Sequence, residues 1–292
     1  MEDRLTITQM GKAALVNALS WQVKSGCDEA LLDDGQIAAE WTISLKQIMD
    51  AYQPDAEAAK APVISSVVSP AISSGVSSGE PKAVASPKAQ LPQKSASLEG
   101  VTDLLALKAA LLSFEGCDLK RTASNLVFSD GNQAAKIMII GEAPGKDEDR
   151  MGVPFVGSAG QLLDQMLGAV GLDRTRVYIA NIMPWRPPGN RALTVEEIEM
   201  MRPFVEKHIS LIAPDIILSL GGTASKTLLQ SQEGIMKIRG KFHDYATVNA
   251  PQNTIPLLPC LHPGYLLRSP HHKAFAFKDL VKLRRKALEL AS

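Results

Sequence analysis

Lys136-Ile137-Met138-Ile139-Ile140-Gly141-Glu142-Ala143-Pro144-Gly145 is the stretch that decides the fold. Its apolar residues run without alternation and stop at a Gly- and Pro-bounded turn. A continuous apolar run of this length suits a strand covered on both faces, as in a parallel sheet. Three more runs repeat the pattern: 177–180 before Asn181, 215–220 before Gly221-Gly222, and 255–261 before His262-Pro263-Gly264. Helical spacing fills the intervals. In 160–170, Leu162, Leu163, Met166, Leu167 and Val170 fall at i, i+3, i+4 positions, and 195–212 opens on Thr194-Val195-Glu196-Glu197, a capping-box signature. Segments 224–229 and 273–290 also read as helices. Strands alternating with helices predict an α/β domain, three-layer α/β/α, with a central four-stranded parallel sheet and right-handed crossovers.

Outside this region the chain changes character. Residues 54–98 contain 10 Ser, 9 Ala and 6 Pro and no aromatic side chain. Such a segment buries too little apolar surface to offset its conformational entropy, which predicts a disordered linker. Before it, Leu15, Val16, Leu19 and Val23, then Ile37, Trp41, Leu45 and Ile48, have helical spacing. Residues 1–53 therefore read as a small helical appendage, either a hairpin docked on something or a recognition module for a protein partner. Residues 99–292 form the main domain.

Composition narrows the class. The 292 residues carry 31 Lys+Arg against 31 Asp+Glu, with 45% hydrophobic and 21% charged residues, which excludes a wholly disordered chain. The zero net charge is a sum of unlike parts, −4 over residues 1–100 and +4 over 101–292. No uninterrupted apolar run is long enough to span a membrane, and the start lacks the pattern of a secretory signal. Cys27, Cys117 and Cys260 are odd in number and far apart, so no disulfide framework is expected and a cytoplasmic location is.

Ligands of open α/β sheets bind at the carboxyl ends of the strands. Glu142, Asn181, Gly221-Gly222 and His262 all follow predicted strands. The 141–145 turn is neither a P-loop nor Gly-x-Gly-x-x-Gly, and Asp147-Glu148-Asp149 would repel a phosphate, so a nucleotide cradle is disfavoured. Phe155, in Pro154-Phe155-Val156-Gly157, reads either as core or as a stacking platform for a planar ligand. Asn181 is either a turn residue or a reader of a nucleobase edge, since its amide sets a donor beside an acceptor. His262 alone is compatible with an ordinary loop histidine. His271-His272 have no spaced metal-ligand partners and read as solvated or phosphate-facing, and no metal site is expected.

Taken together, these residues resemble family 4 uracil-DNA glycosylases. Gly141–Gly145, followed by Glu148-Asp149, Gly152, Pro154-Phe155-Val156-Gly157, Ala159-Gly160 and Leu162-Leu163-Asp164, is similar to the first family motif. Tyr178-Ile179-Ala180-Asn181 with Arg186-Pro187-Pro188-Gly189-Asn190-Arg191 resembles the second, and His262-Pro263-Gly264-Tyr265-Leu266-Leu267-Arg268 the third. The resemblance covers about residues 110–290. It implies an enzyme that hydrolyses the N-glycosidic bond of uracil in DNA after flipping the base out of the stack, the first step of base excision repair.

By match to those motifs, Phe155 would stack on the base, Asn181 would read its O4 and N3–H, and His262 would stabilise charge on the departing uracil. Gly141, Glu142, Ala143, Pro144 and Gly145 would shape the water and sugar side. Glu142 is the first choice of catalytic carboxylate and Glu148 the second. Leu266 or Leu267 would wedge into the vacated stack, and Arg268 and Lys273 would hold phosphates. The expected partner is uracil-containing DNA, the expected state a monomer.

The departures matter as much. Family 4 members carry a 4Fe-4S cluster on four cysteines, and the corresponding positions here read Phe114, Cys117, Trp185 and Met201. A cluster needs four thiolates, so none is expected and these side chains should pack as core. Gly264 stands where Ser or Ala is usual, which is expected to loosen the wedge loop. The Pro187–Arg191 loop lacks the basic, histidine-bearing character of a DNA-trapping variant, which favours hydrolysis. The alternative to an enzyme is a non-catalytic or altered-specificity DNA-binding protein on the same fold, for which loss of Glu142, Asn181 or His262 would be expected. All three are present.

Overall fold

In the computed structural model, residues 98–247 and 250–291 are described. The predicted helical appendage at 1–53 and all but the last residue of the predicted linker at 54–98 lie outside them.

The four apolar runs are strands. They are β2 (Ile137–Gly141), β3 (Val177–Asn181), β4 (Ile216–Leu220) and β6 (Ala250–Cys260), and they pair in parallel in the order β3-β2-β4-β6. Two short strands make the sheet six-stranded and mixed: β1 (Asp130–Gly131) pairs antiparallel with β3, and β5 (His243–Thr247) pairs antiparallel with β6. The expected four-stranded, wholly parallel sheet is corrected here to a parallel centre with antiparallel edges. An edge strand is bonded along one side only, so it needs no continuous apolar run. His243-Asp244-Tyr245-Ala246-Thr247 alternates instead, with Tyr245 buried and Asp244 turned outward.

Helices cover both faces. After α1 (Leu104–Ser113), α2 (Leu119–Thr122) and α3 (Lys146–Met151), helix α4 (Ser158–Gly168) follows β2. Helix α5 (Val195–Ile212) follows β3, and α6 (Gly222–Leu229) follows β4. The short helices α7 (Ile235–Ile238) and α8 (Pro263–Arg268) precede the terminal α9 (Lys273–Ala291).

Each central strand alternates its side chains between two apolar layers. Ile137, Ile139, Val177, Ile179 and Leu218 meet Leu163, Met166 and Leu167 of α4 and Leu280 and Leu283 of α9. Met138, Ile140, Tyr178, Ala180 and Ile217 meet Val205, Ile209 and Ile212 of α5 with Ala224 and Leu228 of α6. That double coverage is why the strands read as unbroken apolar runs.

Helix α5 begins as its capping box predicts. The Thr194 hydroxyl accepts from Glu197 N–H at 3.2 Å, and the Glu197 carboxylate accepts from Thr194 N–H at 2.9 Å.

The chain leaves β2 towards β3 on one side and returns to β4 on the other. The sheet therefore has a topological switch point beside β2, where a crevice opens at the strands' carboxyl ends. Register aligns the critical residues: Gly141 lies opposite Asn181, and Leu220 opposite Cys260. Glu142, Asn181, Gly221 and His262 consequently end up along one edge.

Candidate active site

A cavity of about 530 Å³ occupies that edge, a size suited to a small planar ligand with part of its attachment. Glu142, Ala143, Pro144, Gly145, Phe155, Asn181, His262 and Arg268 all line it. Gly141 is not among the lining residues. A Cβ there would stand 2.4 Å from Asn181 Oδ1 and 2.6 Å from the Phe155 ring, so only glycine lets the amide and the ring close on the same space.

Asn181 is buried, and its Oδ1 has no hydrogen-bond partner. An unpartnered buried amide oxygen is costly unless a ligand donor meets it. An amide so placed accepts from one ring N–H and donates to an adjacent carbonyl.

The His262 ring lies 5.6 Å from the Phe155 ring, centroid to centroid. Its Nδ1 accepts from the Gly264 backbone N–H at 3.0 Å. An imidazole that accepts at Nδ1 carries its proton on Nε2. Burial pulls the His262 pKa down to about 4, helped by the positive charge of Arg268 and opposed by Glu148. The ring is therefore neutral at physiological pH, with an N–H donor on its far nitrogen. A Cβ at Gly221, φ +93°, would come within 3.1 Å of the His262 Cβ, so glycine serves both the turn after β4 and the close approach of this histidine.

The acidic run proves to be divided in its roles. Glu148, 8% exposed, accepts from Gly145 N–H at 3.1 Å, Val156 N–H at 2.9 Å and Gly157 N–H at 2.8 Å. It staples the 141–145 turn to the Phe155 loop. Asp149 accepts from Ser124 and Asn125 backbone amides at 2.8 and 3.2 Å. Glu148, the second choice of catalytic carboxylate, therefore braces the turn with both oxygens and also lines the cavity. Glu142, one residue past β2, is the other carboxylate of the cavity wall.

Two expected DNA contacts separate. Leu266 is fully buried in the core beneath α4 and α9, whereas Leu267 is 43% exposed. Leu266 is therefore corrected from a DNA-contacting residue to a core residue, because successive helical positions point to different sides. Arg268 is exposed at the cavity. Lys273 opens α9 and is not among the lining residues. Ile235 and Met236 of α7 do line it, with Met236 52% exposed. No motif pointed to them, since they lie in a segment without strand or helix periodicity.

Phe114, Cys117, Trp185 and Met201 come together in one apolar cluster with Phe204. The Phe114 ring meets the Phe204 ring edge-on at 5.1 Å. Among these four positions only Cys117 offers a thiol, and burial pushes its pKa up, away from the thiolate that iron requires. These residues do not fit a four-cysteine iron–sulfur site. Among the described residues, no group of three or more His, Cys, Asp or Glu side chains is placed to hold a metal ion, and no helix is long and apolar enough to cross a membrane.

The model of the uracil DNA glycosylase superfamily matches residues 128–283. The type-4 uracil-DNA glycosylase of Sulfurisphaera tokodaii is 35% identical over 187 residues, 62% of this chain and 84% of that protein. That of Archaeoglobus fulgidus is 35% identical over 177 residues, covering 59% and 87%. That of Thermotoga maritima is 38% identical over 154 residues, covering 52% and 77%.

Proposed function

The chain belongs to the uracil DNA glycosylase superfamily, and on that footing we propose how its own residues divide the labour of the reaction. The protein is a monofunctional DNA glycosylase that hydrolyses the N-glycosidic bond of uracil in DNA, leaving an abasic site. The observation that carries this division of labour is the unpartnered Asn181 Oδ1 in the same cavity as a neutral His262.

The flipped uracil stacks on Phe155. Asn181 Oδ1 accepts from uracil N3–H while its amide N–H donates to O4. Cytosine presents the reverse pattern, an acceptor at N3 and a donor at C4, and leaves both amide groups mismatched. As the C1′–N1 bond breaks, its electron pair stays on N1 and spreads to O2, where His262 Nε2–H donates. A fixed neutral donor aimed at a developing anion lowers the barrier without having to be reorganised. Water adds to C1′ on the opposite face of the sugar, and Glu142 takes its proton. Leu267 fills the gap in the base stack and Arg268 holds a phosphate, with Lys273 a second cation further along.

We further propose that the chain works without an iron–sulfur cluster, the apolar Phe114–Trp185–Met201 packing taking its place. It acts as a cytoplasmic monomer, with residues 1–53 left for a protein partner.

The test is direct. Purified protein incubated with uracil-containing single- and double-stranded oligonucleotides, then alkali, should give strand breaks at uracil and release free uracil. Intact strands under conditions where a control glycosylase cuts would refute the assignment.

A further inference from the structure

Phe155 holds an uncommon backbone conformation, φ +54°, in the left-handed region that a bulky side chain rarely enters. Such a residue persists only where its surroundings over-determine it. Three features do so. Gly160 makes room, since a Cβ there would come within 1.7 Å of the Phe155 carbonyl oxygen. Glu148 holds the next two amides. The third is Arg174, in the loop between α4 and β3, outside every motif described above. Its guanidinium donates to the Phe155 carbonyl and, at 3.3 Å, to the Pro154 carbonyl. Two carboxylates fix the guanidinium in turn: Asp164 of α4, at 2.8 Å, and Asp130 of β1.

We infer that Arg174 is a positioning residue for base recognition: it clamps the Phe155 carbonyl in the left-handed turn and so holds the ring against the base pocket. Arg174 does not line the cavity and touches no substrate. Its effect passes through one peptide unit. Without the clamp, Phe155 relaxes to negative φ, and the ring leaves its place beside Gly141 and His262. The planar fork is what the site uses, because one guanidinium meets two successive carbonyls and two carboxylates at once, which a lysine ammonium does not reproduce. This inference rests on the proposed role of Phe155 as the stacking face.

A double-mutant cycle of Arg174→Ala with Phe155→Ala tests it. Arg174→Ala alone should lower uracil excision by about ten- to a hundredfold, and weaken inhibition by free uracil to match. On the Phe155→Ala background it should cost almost nothing further. Arg174→Lys should fall between. Equal losses on both backgrounds would show that Arg174 acts on the fold at large and would overturn the inference. A second readout needs no turnover. In protein labelled with fluorophenylalanine, the Phe155 resonance, assigned through Phe155→Leu, should shift or broaden in Arg174→Ala. An unchanged resonance would contradict the clamp. Should the wild-type protein fail to excise uracil while that resonance still moves, the reading of function fails and the clamp stands.

Discussion

The Gly264 backbone N–H donates to His262 Nδ1 across 3.0 Å, and this one bond decides which ring nitrogen faces the cavity with a proton. With burial holding the pKa at about 4, the ring reaches the base as a neutral donor and needs no proton from solvent to act. The rate contribution of His262 should therefore be flat from pH 8 down towards pH 5, and be lost only as pH approaches about 4. Profiles of kcat/KM for wild type and His262→Gln check this. A limb centred near the ordinary histidine value of 6.5 that disappears in His262→Gln would contradict it. His262→Ala should itself cost roughly a hundredfold or more in rate.

Burial of a second histidine makes a prediction about stability. His208 packs beside Phe128 and bonds the Tyr178 hydroxyl at 2.8 Å, and burial holds its pKa at about 4. The folded pKa lies below the unfolded one. Above pH 6.5 both states leave the ring neutral and the group contributes nothing to pH dependence. Between pH 6.5 and 4 only the unfolded chain takes the proton, so stability falls as pH falls. The loss is on the order of 3 kcal/mol across that window. Denaturant melts of wild type against His208→Gln should show the difference in slope there, and parallel curves would refute it.

Leu266 and Leu267 should separate cleanly. Leu266→Ala removes a fully buried side chain and should cost about 2–5 kcal/mol of stability. Leu267→Ala should leave stability within about 0.5 kcal/mol while weakening action on duplex DNA more than on single strands. Thermal melts and paired oligonucleotide assays distinguish the two. Comparable melting losses in both variants would contradict the placement.

That pair shows where sequence legibility ends. Runs buried on both faces, such as Ile137–Gly141 and Val177–Asn181, were readable because a continuous apolar stretch has few other uses. The start of helix Val195–Ile212 is readable because its capping box is chemically explicit. The edge strands were not: Asp130–Gly131 is two residues long, and His243–Thr247 alternates under one-sided cover. Within the site, Glu142, Phe155, Asn181 and His262 stood at strand ends or glycine-bounded turns and could be found. Glu148 and Arg174 could not be given their roles. Glu148 holds backbone amides and Arg174 backbone carbonyls, which leave no trace in side-chain spacing, and the carboxylates that fix Arg174 come from separate elements.

The cluster of Phe114, Cys117, Trp185 and Met201 predicts an iron-free enzyme. Protein purified without added iron should show no visible-region absorbance and no stoichiometric iron, yet excise uracil. Cys117→Ala should keep that activity while losing some stability from its buried site. Stoichiometric iron, or activity abolished by Cys117→Ala in a folded protein, would contradict this.

Gly141 should be irreplaceable for a stated reason. Gly141→Ala places a methyl 2.4 Å from Asn181 Oδ1 and 2.6 Å from the Phe155 ring. Excision and inhibition by free uracil should fall together. Loss of excision with undiminished uracil inhibition would mean that the methyl disturbs something other than base binding.

The central claim is that Asn181 reads the base, and the measurement closest to it is the ratio of uracil to cytosine excision from otherwise identical oligonucleotides. Wild type should favour uracil by about 10⁴-fold, as expected where buried polar groups would be mismatched by the wrong base. Asn181→Asp should lose uracil excision by orders of magnitude and narrow that ratio, because its carboxylate accepts from the cytosine amine and cannot donate to uracil O4. An Asn181→Asp protein that keeps the wild-type ratio would contradict the account.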